Sequence, residues 1–241
     1  MKKASIKLYE GEKIIAFEDS EEKEIRCIAA EIFYKREYEI GYMAIQDRKK
    51  PVIFDIGAHI GLASIYFSQI TGAQIYSFEP SVAKYNYLVE NTKDLKNVQI
   101  LNYGIGAYYS DVRDFGQATL FPKNVVEEKV KIRTIEWAMD NLGIDHVDLV
   151  KIDVEGSEYE IFFTSPFGRV ADKIDFIVGE SHHGISIFLP EDIKQYLKKY
   201  GFKTRFLPFK NYSKGWKAVF NDGDMKEEIE LSYNIPTMFF S

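Results

Sequence analysis

Five acidic residues and one histidine stand where side chains could do chemistry. Asp55 interrupts VIFDIGAHIGLAS (Val52–Ser64), between an apolar run and two glycines, and Glu79 follows 24 residues later in AQIYSFEP. Asp153 and Glu155 share VKIDVEG, and Glu180 precedes His182 in FIVGESHH. An ionised carboxylate only accepts hydrogen bonds, so Glu79 suits a ligand with paired hydroxyls, such as a ribose diol. Asp55 beside a glycine turn repels phosphate and favours an amino group or a positive charge. Histidine offers a neutral base near cytoplasmic pH.

These residues need a scaffold that gathers strand ends. Val52-Ile53-Phe54 reads as a short buried strand, and Leu62, Ile65, Tyr66 and Ile70 then recur at helical spacing before Gly72. From Pro51 onward the pattern predicts strand 52–56, helix 60–71, strand 73–79, helix 81–93 and strand 98–103. TIEWAMDNLG reads as a short helix, VDLVKIDVEG as a strand and turn, YEIFFTSPF as a helix and KIDFIVGESHH as a strand. PEDIKQYLKKYG is a helix opened by Pro190 and closed by Gly201. Alternation of this kind predicts an α/β fold, a mostly parallel sheet with helices on both faces. The carboxyl ends of its strands then face one crevice, which is where ligands bind in open α/β proteins.

Residues 1–50 read as an extension packed on the domain formed by 51–241. Ala4 to Phe17 suggest a hairpin around YEGEK. In EEKEIRCIAAEIFYKREY, Ile25, Ile28, Ala29, Ile32 and Phe33 share one helical face, with Arg26 and Cys27 off that stripe. Tyr34, Tyr38 and Tyr42 lead on toward the first strand. An insertion at about 108–133, rich in charge and aromatics, is expected as a small hairpin, and FKTRFLP, WKAVFND and YNIPTMFFS as further strands, at least one antiparallel.

The formal net charge of −6, spread along 241 residues, gives no nucleic-acid footprint. Cys27 is the single cysteine, so an internal disulfide and a cysteine metal cluster are excluded. Met1-Lys2-Lys3 is followed by polar residues rather than an apolar signal segment, and no stretch approaches a membrane span. A cytoplasmic protein is the expectation, with a homo-oligomer left open.

A dinucleotide fingerprint needs glycines at its first, third and sixth positions. Counting from Gly57, those places hold Gly57, His59 and Leu62, which argues against a nicotinamide-dependent oxidoreductase. Asp55 and Glu79 together describe S-adenosylmethionine instead. Its amino-acid end would lie at the turn of Gly57, Ala58 and Gly61, and its ribose on Glu79 beside Pro80. Its adenine would lie beyond the third strand near Gly104, Ile105 and Gly106.

At these residues the chain resembles a known family. VIFDIGAHIGLAS, IYSFEP, NYGIGA, VDLVKIDVEGSEYEIF and FIVGESH are similar to successive motifs of the FkbM-type methyltransferases, a Rossmann-like class I group, over about Pro51 to His183. KIDVEGSE is the most specific piece. The resemblance implies donor-binding roles for Asp55, Gly57, Gly61 and Glu79, with Asp153, Glu155 and Glu180 in the active site. Where that family commonly has Thr-Leu-Asp before the KIDVEG strand, this chain has Thr134-Ile135-Glu136. The extension, the insertion and the tail lie outside the resemblance and are expected to choose the substrate.

The expected reaction is O-methylation of a hydroxyl on a small metabolite, sugar or lipid, by in-line displacement at the sulfonium methyl. A neutral alcohol needs a base within hydrogen-bond reach. Alternation along the strand puts Glu180 and His182 on one side and His183 on the other, so Glu180 is expected to orient His182 as that base. Asp153 and Glu155 are expected to line the crevice, Asp153 also touching the donor. Two other readings stay open: Glu155 capping the next helix, and Asp153, Glu155, Glu180 and His182 holding a divalent cation. The expectation is no metal. A donor-binding module without catalysis is the main alternative function.

Overall fold

The computed structural model describes residues 1–9, 11–115, 128–182, 189–207 and 237–240. Strands β1 (Lys2–Lys7) and β2 (Glu12–Phe17) form the expected antiparallel hairpin, Lys2 opposite Phe17 and Lys7 opposite Glu12. Helix α1 (Glu22–Ala29) continues into a π turn over Ala30–Tyr34, and a further short helix α2 (Glu39–Ile45) precedes the main sheet. The sequence pattern does not foretell α2. Its Gly41 lies against Val178 and Leu149, so a tyrosine-rich connector becomes a layer over the sheet. Tyr38, at the head of α2, is buried, whereas Tyr34 is exposed. Arg26 and Cys27 are also buried, contrary to the single-stripe reading, and Arg26 pairs there with Glu22 at 2.7 Å.

Along the chain follow β3 (Val52–Ile56), α3 (Leu62–Phe67), β4 (Gln74–Phe78), α4 (Val82–Thr92) and β5 (Val98–Leu101). Next come β6 (Gly104–Ile105), β7 (Ser110–Phe115), β8 (Glu128–Arg133), α5 (Ile135–Leu142) and β9 (Val147–Ile152). The chain then forms α6 (Glu158–Phe162), α7 (Ser165–Gly168), β10 (Ile174–Glu180), α8 (Pro190–Lys198), β11 (Thr204–Leu207) and β12 (Thr237–Phe240). Local chemistry marks several of these boundaries. Thr134 caps α5 by accepting the Trp137 N–H at 3.1 Å, and Gly143, at φ +65°, ends it. Asp192 accepts the Leu189 N–H at 2.7 Å where α8 begins.

The seven-stranded sheet runs β11-β12-β10-β9-β3-β4-β5. Strands β10, β9, β3, β4 and β5 are parallel, and β12 is antiparallel to both β10 and β11. Strand order reverses at β3: β4 and β5 lie to one side of it, β9 and β10 to the other. This is the switch point at which an open α/β sheet leaves a crevice. Alternation in the strands feeds two cores. Phe54, Val150 and Ile177 face Met139, Phe162, Ile193 and Leu197. Ile53, Leu149 and Val178 face α3 and the N-terminal Ile6, Phe17 and Ile25, so the extension and the sheet share one apolar cluster.

The expected insertion hairpin is present as β7 and β8, antiparallel, with β6 added in parallel beside β8; its tip, 116–127, lies outside the described residues. In the tail, β11 falls within FKTRFLP and β12 on the TMFF of YNIPTMFFS, while the rest of the latter, WKAVFND and His183 lie outside the described residues. Among the described residues, no helix is long and apolar enough to cross a membrane.

Candidate active site

The turn from β3 into α3 is held by its backbone. Gly57 has φ +77°, and a Cβ there would lie 1.9 Å from the Asp153 carbonyl oxygen. Glycine is therefore what lets the β3 turn touch the β9 turn, where the Asp153 N–H donates to the Ile56 carbonyl at 3.1 Å. Both the Gly57 and Ala58 N–H groups donate to the Phe78 carbonyl, at 3.1 and 3.0 Å. They serve the fold rather than standing bare at the crevice. Gly61, at φ +95°, is held against α4: a Cβ would come within 2.8 Å of Leu88 Cδ1. Its constraint is helix packing, and α3 starts after it at Leu62 and ends at Phe67, shorter than the expected 60–71.

Asp55 corrects the sequence reading. Its side chain is 0% exposed, with its oxygens turned to Ser64 and Lys151. One oxygen accepts from Ser64 Oγ at 2.6 Å, and Ser64 in turn meets Ser77 Oγ at 2.8 Å. The other lies 3.2 Å from Lys151 Nζ, itself buried. An unpaired carboxylate at this depth is too costly, so the lysine arriving on β9 neutralises it. Lys151 also donates to the Gly57 carbonyl at 2.8 Å and approaches Asp153 at 3.9 Å. Burial works against its charge, but Asp55 and Asp153 keep it protonated, above the ordinary lysine range. Asp55 thus positions the turn through Lys151.

Glu79 ends β4 with both oxygens fixed. Oε2 accepts the His59 N–H and Oε1 the Ser81 N–H, each at 2.8 Å. Burial raises its pKa to about 7, against the pull of those two amides. Each carboxylate oxygen keeps a second lone pair, so a ribose diol can still be accepted. His59 has φ +52°, and burial pushes its pKa down to about 3, which makes it a neutral wall of the turn. Asn102 ties the β5–β6 loop to this corner by donating to the carbonyls of Glu79 and Pro80, at 3.0 and 3.2 Å. Pro80 lies against Gly104; Ile105 is buried, and the Gly106 N–H donates to the Arg133 carbonyl at 2.9 Å. Pro80, next to Glu79, thus packs against Gly104.

The acids after β9 and β10 converge on His182. Its side chain is 2% exposed, and Nδ1 donates to Glu158 Oε1 at 2.9 Å. Nε2 faces Glu155 and Glu180 at 3.6 Å each and Asp153 at 3.8 Å. Asp153 and Glu155 lie in a turn rather than a strand, because β9 ends at Ile152 and Glu155 takes φ +53°. A left-handed glutamate is strained, and strain of this kind collects at functional sites. Glu155 does not cap the next helix; Glu158, 0% exposed, reaches back instead to accept the Val154 N–H at 3.0 Å.

Two corrections follow. The group that orients His182 is Glu158, not Glu180, because Glu158 hydrogen-bonds the ring at 2.9 Å while Glu180 stays at 3.6 Å. Nor is the ring poised as a neutral base. Burial opposes its charge, yet the Glu158 hydrogen bond and the Asp153 and Glu155 carboxylates raise its pKa to about 9. Burial and the Asp153 charge raise Glu155 to about 7, and burial with Glu37 and Asp153 raises Glu180 well above the carboxylate range. Sequence reasoning missed Glu158 and the Asp55–Lys151 pair. The second glutamate of KIDVEGSE was the available signal for the first.

The family model for the methyltransferase FkbM domain matches residues 55–204. The methyltransferase sdnD of Sordaria araneosa is 28% identical over a match covering 57% of this chain and 68% of that protein. The AMB antimetabolite synthetase AmbE of Pseudomonas aeruginosa is 23% identical, and the match spans 64% of this chain but only 10% of the synthetase. Among solved structures, precorrin-6y C5,15-methyltransferase from Geobacter metallireducens superposes with a TM-score of 0.50 at 16% identity, covering 94% of this chain and 97% of its own. The Methanococcus jannaschii fibrillarin pre-rRNA processing protein does so at 0.50 and 12%, covering 99% and 81%. These two likenesses establish the fold. The family match spans the β3 turn, Glu79 and the whole acid–histidine cluster, and with it the chain belongs to the FkbM family of S-adenosylmethionine-dependent methyltransferases.

Proposed function

We propose that the chain transfers the methyl group of S-adenosylmethionine to a hydroxyl of a small metabolite, sugar or lipid. The observation that carries this is the cluster of Asp153, Glu155 and Glu180 around His182, one turn away from Gly57. A hydroxyl acceptor needs a hydrogen-bond acceptor for its proton, and this corner supplies three carboxylates. Glu79 takes the ribose, Pro80, Gly104, Ile105 and Gly106 bound the adenine, and Gly57, Ala58 and Gly61 shape the backbone under the methionine end. Asp153, linked to Lys151 and facing His182, separates donor from acceptor. The positive sulfonium fades as the methyl leaves, so alignment and exclusion of water do most of the work. As the oxygen–methyl bond forms, the proton passes to a carboxylate of the cluster.

His182 already carries a proton at neutral pH and acts by holding the carboxylates together. The N-terminal extension, residues 1–50, closes the acceptor side: Glu31, Glu37 and Tyr38 lie close enough for their charges, or its ring, to be felt at Asp153 and Glu180. The net charge of −6 favours a small acceptor over nucleic acid. The reading places the reaction in the cytoplasm, and the free, buried Cys27 thiol agrees with a reducing compartment.

The test is incubation of the full chain with donor and a panel of sugars, hydroxylated lipids, small hydroxy metabolites, amines and RNA, followed by mass spectrometry. Formation of S-adenosylhomocysteine together with a methyl ether on one of the hydroxyl acceptors is expected. Turnover confined to amines or RNA would overturn the reading, and donor binding without turnover on any acceptor would point to a binding module.

A further inference from the structure

The crevice holds a second feature that methyl transfer by itself does not require. Three carboxylates surround one imidazole nitrogen, yet among the described residues no lysine or arginine pairs with Glu155 or Glu180. Asp153 has Lys151 at 3.9 Å, but that lysine is already paired with Asp55, so the charge facing all three carboxylates is that of the protonated His182 ring, which a divalent cation would replace. His182 is 98% buried by its 2% exposure, and its Nδ1 is committed to Glu158. Among the described residues its Nε2 makes no hydrogen bond, and it is aimed into the carboxylates at 3.6–3.8 Å. We infer that Asp153, Glu155 and His182 form a binding site for one divalent cation, which receives the acceptor hydroxyl.

The geometry has the right scale. Ligand atoms of Asp153, Glu155 and His182 all lie within 4.8 Å of one another. Atoms bound at about 2.0–2.6 Å to a common ion sit roughly 3–5 Å apart, so small side-chain movements close the shell. The histidine carries the outer support that metal-bound imidazoles use: a buried carboxylate on the far nitrogen, fixing ring and tautomer. Two oxygens and one nitrogen suit an ion that accepts both, of the Mn²⁺ or Mg²⁺ kind rather than a thiolate-seeking one. Three protein ligands leave positions open for water and for an acceptor hydroxyl. Binding releases the proton from His182 Nε2, as ligation by imidazole requires.

This inference rests on the methyltransferase reading and adds a step to it. The cation draws electron density from the bound hydroxyl, the methyl moves from sulfur to that oxygen, and the hydroxyl proton passes to Glu180, which lies outside the shell and which the nearby cation's charge brings to its ionised form beforehand. The products are the methyl ether and S-adenosylhomocysteine, and no oxidant or reductant is involved. A second grouping, His146 with Asp148 and Asp175, shows the contrast. There Arg48 already bonds to both aspartates, so the charge is met and the side chains are held.

The experiment is titration of chelator-treated full-length protein with Mn²⁺, followed by calorimetry and by loss of the free-ion electron paramagnetic resonance signal. One saturable Mn²⁺ per chain is expected. His182→Gln and Glu155→Gln should each weaken it by about 10-fold or more, whereas Asp175→Asn should leave it unchanged. Binding of S-adenosylhomocysteine by the same samples reports folding and the donor site independently. No Mn²⁺ binding to wild-type protein that still binds S-adenosylhomocysteine would overturn the metal site and leave the methyltransferase reading intact. Mn²⁺ binding that survives both crevice variants but is lost in Asp175→Asn would overturn it equally.

Discussion

Glu158 and His182 are 24 residues apart in the chain and 2.9 Å apart in space. The contact joins the first turn of α6 to the end of β10 and fixes the ring whose other nitrogen faces Asp153, Glu155 and Glu180. The same Glu158 oxygen takes the Val154 N–H, so one carboxylate sets both the histidine and the turn that bears Glu155.

Glu158→Gln keeps the size of the side chain but removes the charge that orients His182. Turnover should fall by about 10–100-fold, the usual effect of losing the group behind a functional histidine, with donor affinity within about twofold of wild type. Steady-state kinetics beside calorimetry separates the two. Unchanged turnover would mean that the pair is structural only.

Glu79 is proposed to carry the donor's ribose. Replacing it with Ala should remove two charge-assisted hydrogen bonds, each contributing about 1.5–3 kcal/mol at most. Its pKa in the folded chain is about 7, raised from the ordinary carboxylate value by burial. A raised carboxylate pKa means the folded state holds a proton that the unfolded chain releases. Its contribution to stability therefore declines from about pH 4.5 to about pH 7 and stays constant above. Donor affinity runs the other way: ribose hydroxyls and the donor's positive charge both favour the ionised form. Affinity should climb between about pH 6 and 8, and Glu79→Gln should flatten that slope. A slope that persists in Glu79→Gln would assign it to another group.

Lys151→Met strands the Asp55 carboxylate with only Ser64 as a partner. Urea denaturation should show a loss of about 3–5 kcal/mol, typical of breaking a buried pair from one side. The double variant Asp55→Asn with Lys151→Met should recover much of it. Additive losses in the double variant would argue that the two side chains do not stabilise one another.

Gly57→Ala forces a Cβ toward the Asp153 carbonyl, 1.9 Å away, at a φ of +77°. The β3 and β9 turns must part, so both donor affinity and thermal stability should drop. Gly61→Val acts elsewhere, against Leu88 on α4, and should lower stability more than it alters the crevice. If Gly61→Val abolished donor binding at full stability, the turn at Gly61 would have to touch the donor directly.

What could be read from the sequence follows the physics of each feature. Alternating strands and helices, with Asp55, Glu79, Asp153 and Glu180 at strand ends, are local patterns, and the sheet assembles them as expected. The face that Asp55 shows is not local. Whether a carboxylate at a strand end meets a ligand or a lysine depends on β9, nearly a hundred residues on, because Lys151 is what fills that space. Glu158 was hidden for a similar reason: a charged residue in the first turn of a helix usually faces solvent, and here it is buried against His182, just past the end of β10. Helix α2 was obscured because Glu39–Ile45 is short and contains Gly41, a weak helix former whose small size the sheet requires.

The central claim is that donor and acceptor meet across Asp153, between Glu79 and His182. A crystal structure with S-adenosylhomocysteine tests it most directly. The account predicts the ribose hydroxyls on the Glu79 carboxylate and the sulfur turned toward Asp153, with the space in front of Glu155, Glu180 and His182 left open for an acceptor. A ligand bound with its ribose away from Glu79, or with its sulfur facing away from that cluster, would contradict it.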